Sequence, residues 1–266
     1  MIHSREERIE ALGRVIDTLE ILRVKCPWDA KQTNESLRPN TIEEVYELSD
    51  ALMHADDAEG GAANLRKELG DVLLHILFYS KIADEQGRFD IADVADALNS
   101  KLIFRHPHVF GETKVENAGQ VADNWEKLKL REKGGNRTVL AGVPKALPAL
   151  IKAFRIQEKA AHVGFDWEEP AQVWDKVDEE MTEVREAIAG GDADRIEAEF
   201  GDLLFAVVNA ARLYGVNPDN ALERTNAKFM RRFAHIEEAA AAQQRSVADL
   251  SLDEMEAAWQ DAKKDE

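Results

Sequence analysis

Apolar residues recur every three or four positions over most of the chain, which is the spacing of one face of an α-helix. The segments from Glu6 to Arg23 and from Ile91 to Phe104 show this spacing clearly. Thr41 is expected to cap a further helix, after a proline-containing loop that ends at Asn40. No segment alternates apolar and polar residues strictly, as a half-buried strand does. The pattern therefore predicts an all-α fold.

The stretch from Val177 to Val208 is predicted to be a helical hairpin. Gly190 and Gly191 end its first helix, and Asp192 is in position to cap the second. Each helix carries two acidic residues three positions apart, and such residues lie on one helix face. Since packed antiparallel helices have axes roughly 8–10 Å apart, the four carboxylates can face one small volume. These acids are Glu180, Glu183, Glu199 and Asp202.

The same arrangement of acids occurs earlier in the chain, so the sequence contains an internal duplication. In both copies a glycine precedes the aspartate and two apolar residues follow it. A duplication of this length predicts two similar helical domains. The acids of the first copy are Glu44, Glu47, Glu68 and Asp71. Further downstream, Lys101, Arg105 and Trp125 match Lys228, Arg232 and Trp259.

The domain boundaries are predicted from this duplication and from glycine and proline content. We place the N-terminal domain at residues 1–132 and the C-terminal domain at residues 151–266. Residues 133–150 contain several glycines and prolines and are expected to form a linker.

A pair of acids three positions apart carries little information here, because 52 of the 266 residues are acidic. Most such pairs form a solvated helix face. Recurrence beside an apolar stripe in both copies favours a site over that alternative. Carboxylates clustered at the edge of a core repel one another and lose hydration, which costs on the order of several kcal/mol. A hard cation removes this penalty, and all-oxygen ligands favour Mg²⁺, with Mn²⁺ as a substitute.

The charge and composition exclude some partners. A formal net charge of −18 repels a nucleic-acid backbone, so no nucleic-acid polymer is expected as a partner. The apolar runs are too short to span a bilayer, so no membrane is expected either. The single cysteine, Cys26, suits a reducing compartment, and a cytoplasmic location is expected.

Other metal and phosphate motifs are missing from the sequence. There is no phosphate-binding glycine loop and no His-Glu-x-x-His motif, and no histidine follows a glutamate by three positions. His106 and His108 flank a proline at a helix end, where capping or loop structure is favoured over metal ligation.

Basic and aromatic residues near the second copy of the acids suggest phosphate chemistry. Lys228 and Arg232 lie four positions apart and can hold phosphate oxygens from one helix face. A solvated basic stripe that includes Arg231 is the alternative. Trp259 either packs on the core of its own domain or stacks on a base. The sequence leaves both roles open for Trp259.

Several longer motifs resemble the MazG family of nucleoside triphosphate pyrophosphohydrolases. In the first half they are Cys26-Pro27-Trp28-Asp29, Glu68-Leu69-Gly70-Asp71, Arg105-His106-Pro107-His108 and Trp125-Glu126-x-x-Lys129. In the second half they are Pro144-x-x-Leu147-Pro148 and Val163-Gly164-Phe165-Asp166-Trp167. The resemblance covers nearly the whole chain, including its tandem architecture.

The resemblance implies a homodimer that converts nucleoside triphosphates to monophosphate and pyrophosphate with Mg²⁺. It implies that Glu180, Glu183, Glu199 and Asp202 bind the metal, and that Lys228, Arg232 and Trp259 hold the nucleotide. The expected mechanism is attack of an activated water at phosphorus, a water that Glu179 could orient. Members of the family often keep activity chiefly in the second domain.

Two further basic residues support the second domain as the catalytic one. Lys176 lies one turn before Glu180, and Arg195 lies one turn before Glu199; the first copy has Asn40 and Asn64 instead. Both bases are expected to bind substrate phosphates. Ordinary i,i+4 ion pairs, worth only tenths of a kcal/mol, are the alternative.

Two other functions remain open at this point. A narrower pyrophosphohydrolase, of a dUTPase-like or phosphoribosyl-ATP type, would use related acidic motifs. A non-enzymatic helical scaffold would carry the same acids on solvated faces and would not bind Mg²⁺.

Overall fold

The computed structural model describes residues 2–57, 60–115 and 138–264, together with residues 117, 119–121, 124 and 128. These residues form helices, turns and loops and contain no strand, which confirms the all-α fold. None of the described helices is both long and apolar enough to cross a bilayer. Trp125, Glu126, Lys129 and linker residues 133–137 lie outside the described residues.

The chain divides into two compact units, Met1–Lys114 and Val115–Glu266. Each unit contains one copy of the duplicated acids. The domain boundaries expected from the sequence, at residues 132 and 150, stay a prediction.

The first unit packs around one apolar cluster. Leu19, Leu37, Leu77, Phe78 and Ile82 are buried together and come from three different helices. The helices of this unit are α1 (Arg5–Lys25), α2 (Asn34–Met53), α3 (Gly61–Glu85), α4 (Ile91–Arg105) and the short α5 (Pro107–Phe110).

Helix α2 begins earlier than the sequence suggested. The side chain of Thr33 accepts a hydrogen bond from the Ser36 N–H, and the Ser36 hydroxyl oxygen accepts one from the Thr33 N–H, which closes a capping box. Pro39 lies in the second turn of this helix and does not end it. Thr41 is therefore inside the helix, with its hydroxyl donating to the Leu37 carbonyl. The expectation that Thr41 caps the helix is wrong.

His106 ends helix α4, as expected for a capping residue. Its Nδ1 lies 2.6 Å from the Leu102 carbonyl oxygen, one turn back. The following Pro107 occupies the first position of α5, where a missing N–H has no consequence.

The second unit contains two apolar clusters. Val173, Val177, Ala206 and Ala210 form the first, between two neighbouring helices. The second lies near the C-terminus and is centred on Ile236, Ala240 and Leu250. The helices of this unit are α6 (Ala149–Ala161), α7 (Val173–Gly190), α8 (Ala193–Leu213), α9 (Pro218–Ala242) and α10 (Leu252–Lys264).

The turn between α7 and α8 has the local structure that its sequence predicts. Gly191 adopts the left-handed conformation, with φ of 72°, and ends α7. Asp192 then caps α8, because its Oδ1 accepts hydrogen bonds from the N–H groups of Asp194 and Arg195 at 3.1 and 3.4 Å. The hairpin is confirmed, and it places the acids of the two helices against each other.

Candidate active site

Three acids of the second unit meet between α7 and α8. One carboxylate oxygen each of Glu180, Glu199 and Asp202 lies within 4.8 Å of the others. Glu180 comes from α7 and is only 5% exposed, whereas the two acids from α8 are more open to solvent. The cluster therefore has one buried carboxylate, one that is partly buried and one that is exposed.

The donor atoms of this cluster suit a hard divalent cation. Within the described part of the chain, Glu180 Oε2 is buried and has no hydrogen-bond partner, while Oε1 lies 2.7 Å from the Lys176 ammonium. A buried carboxylate oxygen without a partner is costly, and a cation supplies that partner. All three ligands are oxygens, as Mg²⁺ prefers. The residues present therefore fit Mg²⁺.

Glu183 lies outside the group of three but close to it. Partial burial raises the pKa of Glu183, and the charges of Glu180 and Glu199 raise it further. The carboxylate therefore experiences the field of the cluster without joining it at the same distance. Its predicted role as a fourth metal ligand stays a prediction.

Two basic side chains contact the acids from within the same helices. The ammonium of Lys176 lies 2.9 Å from Glu179 and 2.7 Å from Glu180, and these bonds raise the pKa of Lys176. Arg195 Nε lies 3.4 Å from Glu199 Oε1. Both basic side chains keep substantial exposure, 39% and 52%. Each basic side chain can therefore leave its carboxylate partner and bind an anionic ligand instead.

The first unit repeats the cluster with a different counter-ion. Oxygens of Glu44, Glu68 and Asp71 lie within 4.8 Å of one another, and Glu68 is 3% exposed, with no described residue hydrogen-bonded to its Oε2. The Lys67 ammonium lies 2.8 Å from Glu68, 3.6 Å from Asp71 and 3.9 Å from Glu47. The residue that corresponds to Lys67 in the second copy is Ala198. Glu47, like Glu183, does not join its group of three.

A cavity of about 680 Å³ adjoins the second cluster. This volume is within the usual range for small-molecule sites, roughly 300–1,000 Å³. Its polar side includes Lys176, Glu180 and Asp202. Its other lining residues are mainly apolar and aromatic, with a few polar groups: Leu140, Ile156, Gln157, Ala160, Gly164, Phe165, Asp166, Trp167, Val173, Phe205, Ala206, Asn209 and Arg212.

The first unit carries larger side chains at two equivalent positions. Counting along the matching helices from the shared aspartate, His75 and Tyr79 correspond to Ala206 and Ala210. The Thr41 hydroxyl lies 2.9 Å from His75 Nδ1 and 2.5 Å from the Tyr79 hydroxyl. Burial lowers the pKa of His75, against the charge of Asp71. His75 thus places a hydrogen-bonded imidazole where Ala206 lines the cavity of the second unit, whereas Tyr79 corresponds to Ala210 of the buried apolar cluster.

An ion pair fixes the loop at the rim of the cavity. The Arg212 guanidinium donates from both terminal nitrogens to Asp166, with one distance of 3.0 Å, and its Nε donates to Asn209 Oδ1 at 3.0 Å. The pair holds the neighbouring rings of Phe165 and Trp167 at the cavity, where they remain 83% and 40% exposed.

Several of these lining residues were missed as site residues from the sequence. Asn209 and Arg212 were accessible in principle, because they follow Asp202 by two and about three helical turns on α8. For the loop at Asp166, the signal in the sequence is the motif that resembles the MazG family. Gln157 had no signal at all, since a single glutamine in an amphipathic helix is ordinary.

The structure places the three predicted nucleotide contacts apart from the cavity lining. Trp259 packs against the cluster of Ile236 and Leu250, with its ring centroid 5.1 Å from that of Phe229. Arg232 Cζ lies 5.4 Å from the centroid of the Trp259 ring, and Lys228 is exposed on the same helix as Arg232. Packing of Trp259 on its own core is thus observed. The roles of these residues toward a nucleotide stay predictions.

Comparisons with known proteins match both copies of the duplication. The family model described as the MazG nucleotide pyrophosphohydrolase domain matches residues 32–110 and 168–237. The nucleoside triphosphate pyrophosphohydrolase of Escherichia coli K12 is 40% identical over 265 residues, which cover 97% of this chain and 98% of that protein.

Two further relatives align over most of this chain. The nucleoside triphosphate pyrophosphohydrolase/pyrophosphatase MazG of Thermotoga maritima is 43% identical over 239 residues, covering 90% of this chain and 89% of the relative. The uncharacterized protein YabN of Bacillus subtilis is 45% identical over 243 residues, covering 91% of this chain and 49% of YabN.

The acidic clusters predict stabilisation by Mg²⁺ alone. A hundredfold excess of Mg²⁺ over its Kd should raise the free energy of unfolding by about 2.7 kcal/mol. The Glu180→Gln variant should lose the part of this gain that the second cluster contributes, and a Glu68→Gln, Glu180→Gln double variant should lose all of it. Thermal unfolding of the full chain with and without Mg²⁺ measures the effect.

The matched control for this measurement is Glu186→Gln, an exposed acid on α7 outside the cluster. It should keep the full stabilisation by Mg²⁺. Equal stabilisation of wild type and the double variant would show that Mg²⁺ binds elsewhere.

The ion pair of Asp166 predicts a pH-dependent contribution to stability. Burial acts to raise the pKa of Asp166, but hydrogen bonds from Arg212 and the Trp167 N–H outweigh it and lower the pKa below 3.8. The pair therefore stabilises the fold at pH values above 3.8 and loses this contribution as the pH falls through the lower, folded-state pKa. Asp166→Asn should cost about 1–2 kcal/mol at pH 6 and less at pH 3.

Urea unfolding at both pH values measures this difference. Asp178→Asn, at an exposed position on α7, serves as the control and should change stability little at either pH. A penalty for Asp166→Asn that is the same at pH 6 and pH 3 would exclude the ion pair as its cause.

Proposed function

The chain belongs to the MazG nucleotide pyrophosphohydrolase family, and we propose that its second unit hydrolyses nucleoside triphosphates to monophosphate and pyrophosphate with Mg²⁺. The chain is thus a hydrolase by family. One observation carries the proposal for the second unit. Its cluster contains a buried, unpartnered carboxylate oxygen and adjoins a cavity of about 680 Å³.

We assign the metal to the three clustered acids. Glu180, Glu199 and Asp202 would hold Mg²⁺, with Glu183 as the predicted fourth ligand and Mn²⁺ as a substitute ion. When bound, the ion would neutralise phosphate charge and lower the pKa of the attacking water. Glu180 is positioned for this role by burial, since its side chain has little freedom to leave the cluster.

The basic residues of the hairpin are assigned to the phosphates. Lys176 bridges Glu179 and Glu180, and Arg195 contacts Glu199. A triphosphate competes for both cations, because its oxygens carry more charge than one carboxylate. Once Lys176 turns to phosphate, the exposed carboxylate of Glu179 is released and can accept a hydrogen bond from the attacking water.

The C-terminal helices supply the remaining predicted contacts. Helix α9 packs against α6 and α8, so it adjoins the helices that line the cavity. We propose that Lys228 and Arg232 bind phosphate oxygens from this helix and that Trp259 contacts the ribose or base. The stacking of Arg232 on Trp259 couples these two side chains.

The first unit is proposed to be a degenerate site. His75 and Tyr79 occupy positions that are alanines in the second unit, and Lys67 supplies a tethered positive charge to the acids. Both features work against a bound metal–triphosphate complex, one by volume and the other by competition for the carboxylates.

We propose a homodimer as the assembled form. Phe200, Leu204 and Val207 are four and three positions apart on α8 and are 45%, 62% and 45% exposed. Such a contiguous apolar stripe favours burial against another surface, and a second copy supplies a matching one. Light scattering should give about twice the chain mass of 29.8 kDa, and Leu204→Glu should halve it. A single-chain mass for the wild type would contradict the dimer.

The assignment of the active unit predicts which acids are needed for turnover. Glu180→Gln and Asp202→Asn should each lower kcat/KM for Mg²⁺-dependent pyrophosphate release about a hundredfold or more, since several kcal/mol of charge stabilisation are lost. The matched changes in the first unit, Glu44→Gln and Asp71→Asn, should leave it unchanged. The reverse pattern would move the activity to the first unit.

The same assay with the common ribonucleoside and deoxyribonucleoside triphosphates tests breadth. We expect monophosphate and pyrophosphate from all of them, which supports a broad, house-cleaning role in the cytoplasmic nucleotide pool. Turnover of a deoxyuridine substrate or of phosphoribosyl-ATP alone would support the narrower alternative. Absence of turnover and of Mg²⁺ binding would support the non-enzymatic scaffold.

A further inference from the structure

Gln157 presents an unusual polar group to the cavity of the second unit. The residue lies on α6, lines the cavity and is only 6% exposed. Its Nε2 donates a hydrogen bond of 2.7 Å to the Phe205 carbonyl oxygen, whereas its Oε1 is buried and has no partner among the residues that the structure describes. Buried side-chain oxygens are nearly always hydrogen-bonded, so this one indicates a missing donor.

The orientation of this amide is determined by its contact with Phe205. A backbone carbonyl oxygen accepts hydrogen bonds and cannot donate, so the NH₂ group of Gln157 must face it. The flipped amide would place two acceptors against each other. Gln157 Oε1 is therefore a fixed acceptor that lies beneath the cavity surface, and a ligand must settle deeply against α6 to reach it.

The surrounding walls suit a flat, apolar ring. Phe165, Trp167 and Phe205 line the same cavity, and Phe165 is 83% exposed although it is a large aromatic residue. Exposed aromatic side chains can stack on any nucleobase, because every base has a π-face. Glu180 and Asp202 of the acidic cluster line the cavity as well, together with Lys176, so a ring bound there can be attached to a metal-bound phosphate chain.

We propose that this cavity holds the nucleobase of the triphosphate, with Gln157 Oε1 accepting a hydrogen bond from an N–H group on the Watson–Crick edge of the base. The proposal rests on the proposed function and adds a residue that determines specificity. With the base in the cavity, Trp259 would contact the ribose. A base stacked on Trp259 is the competing placement.

A single fixed acceptor has a defined selectivity. Adenine and cytosine offer an exocyclic amino group, guanine offers N1–H, and uracil and thymine offer N3–H. All five bases can satisfy Gln157, so the contact is compatible with broad specificity. Bases with no N–H on this edge cannot form it, and they differ from good substrates by one hydrogen bond.

The test compares matched substrates that differ in this donor. Purine riboside triphosphate lacks the amino group of ATP, and N3-methyl-UTP lacks the N3–H of UTP. For the wild type, kcat/KM should be about tenfold lower for each analogue, the effect of one lost hydrogen bond. In the Gln157→Leu variant the parent substrates should fall to the level of their analogues, so that both ratios approach one.

A fall of the parent-to-analogue ratios of kcat/KM to one distinguishes loss of base recognition from damage to the fold. Damage to the fold lowers both members of a pair equally and preserves their ratio, and thermal unfolding of the variant reports such damage directly. Gln243→Leu is the matched control, because Gln243 Nε2 also donates to a backbone carbonyl, that of Ala239, outside the cavity. This control should keep the wild-type ratios.

Three results would overturn the proposal. They are a wild-type ratio near one, a tenfold ratio that survives in Gln157→Leu, and a ratio that collapses in Trp259→Ala but not in Gln157→Leu. Failure of the proposed function gives a different result, because then the wild type releases no pyrophosphate from any of the four substrates.

Discussion

The structure depends on the crowding of carboxylates across a tight helical hairpin. Gly191 and Asp192 reverse the chain within two residues, and this brings Glu180 against the acids of α8. Like charges at such distances oppose folding unless a cation offsets them. The chain itself offsets part of this repulsion with ammonium groups, that of Lys176 in the second unit and that of Lys67 in the first. The two units thus place their ammonium groups on different helices, and Lys67 contacts three of its four acids, Glu47, Glu68 and Asp71.

The two copies share the acidic residues of the site but differ in the size of the side chains further along the same helix. The acids that cluster in one unit have equivalents that cluster in the other. The divergence lies one and two turns further along the helix, where alanine in one copy is His75 or Tyr79 in the other. Close-packed interiors respond to changes of even one methylene group, so a histidine in place of the cavity-lining Ala206 reduces the space for a ligand at that position. Metal affinity and substrate volume can therefore be lost independently after duplication.

The parts of the fold that were predictable are those determined locally. Helical period, a glycine in the left-handed conformation and an aspartate cap specify the α7–α8 hairpin without reference to the rest of the chain. The prediction for the start of α2 is wrong because Pro39 indicated a loop, whereas the helix continues through Pro39 in its second turn without a hydrogen bond from that residue to the Glu35 carbonyl. Other features of the site depend on tertiary contacts and could not be predicted from local sequence. Packing of Trp259 against Phe229, and the hydrogen bond between Gln157 and Phe205, join residues that are far apart in sequence.

The polar groups at the cavity rim differ in what they can offer to a ligand. Arg212 is committed to Asp166 and Asn209, so these three residues mainly shape the loop that carries Phe165. Gln157 is committed on one side only, through its NH₂ group. A site that makes a single hydrogen-bonding demand discriminates weakly among bases that all meet it, whereas strict selection requires several buried partners that a wrong base leaves unpaired. We therefore propose breadth of substrate because few of the polar groups described in this cavity remain uncommitted.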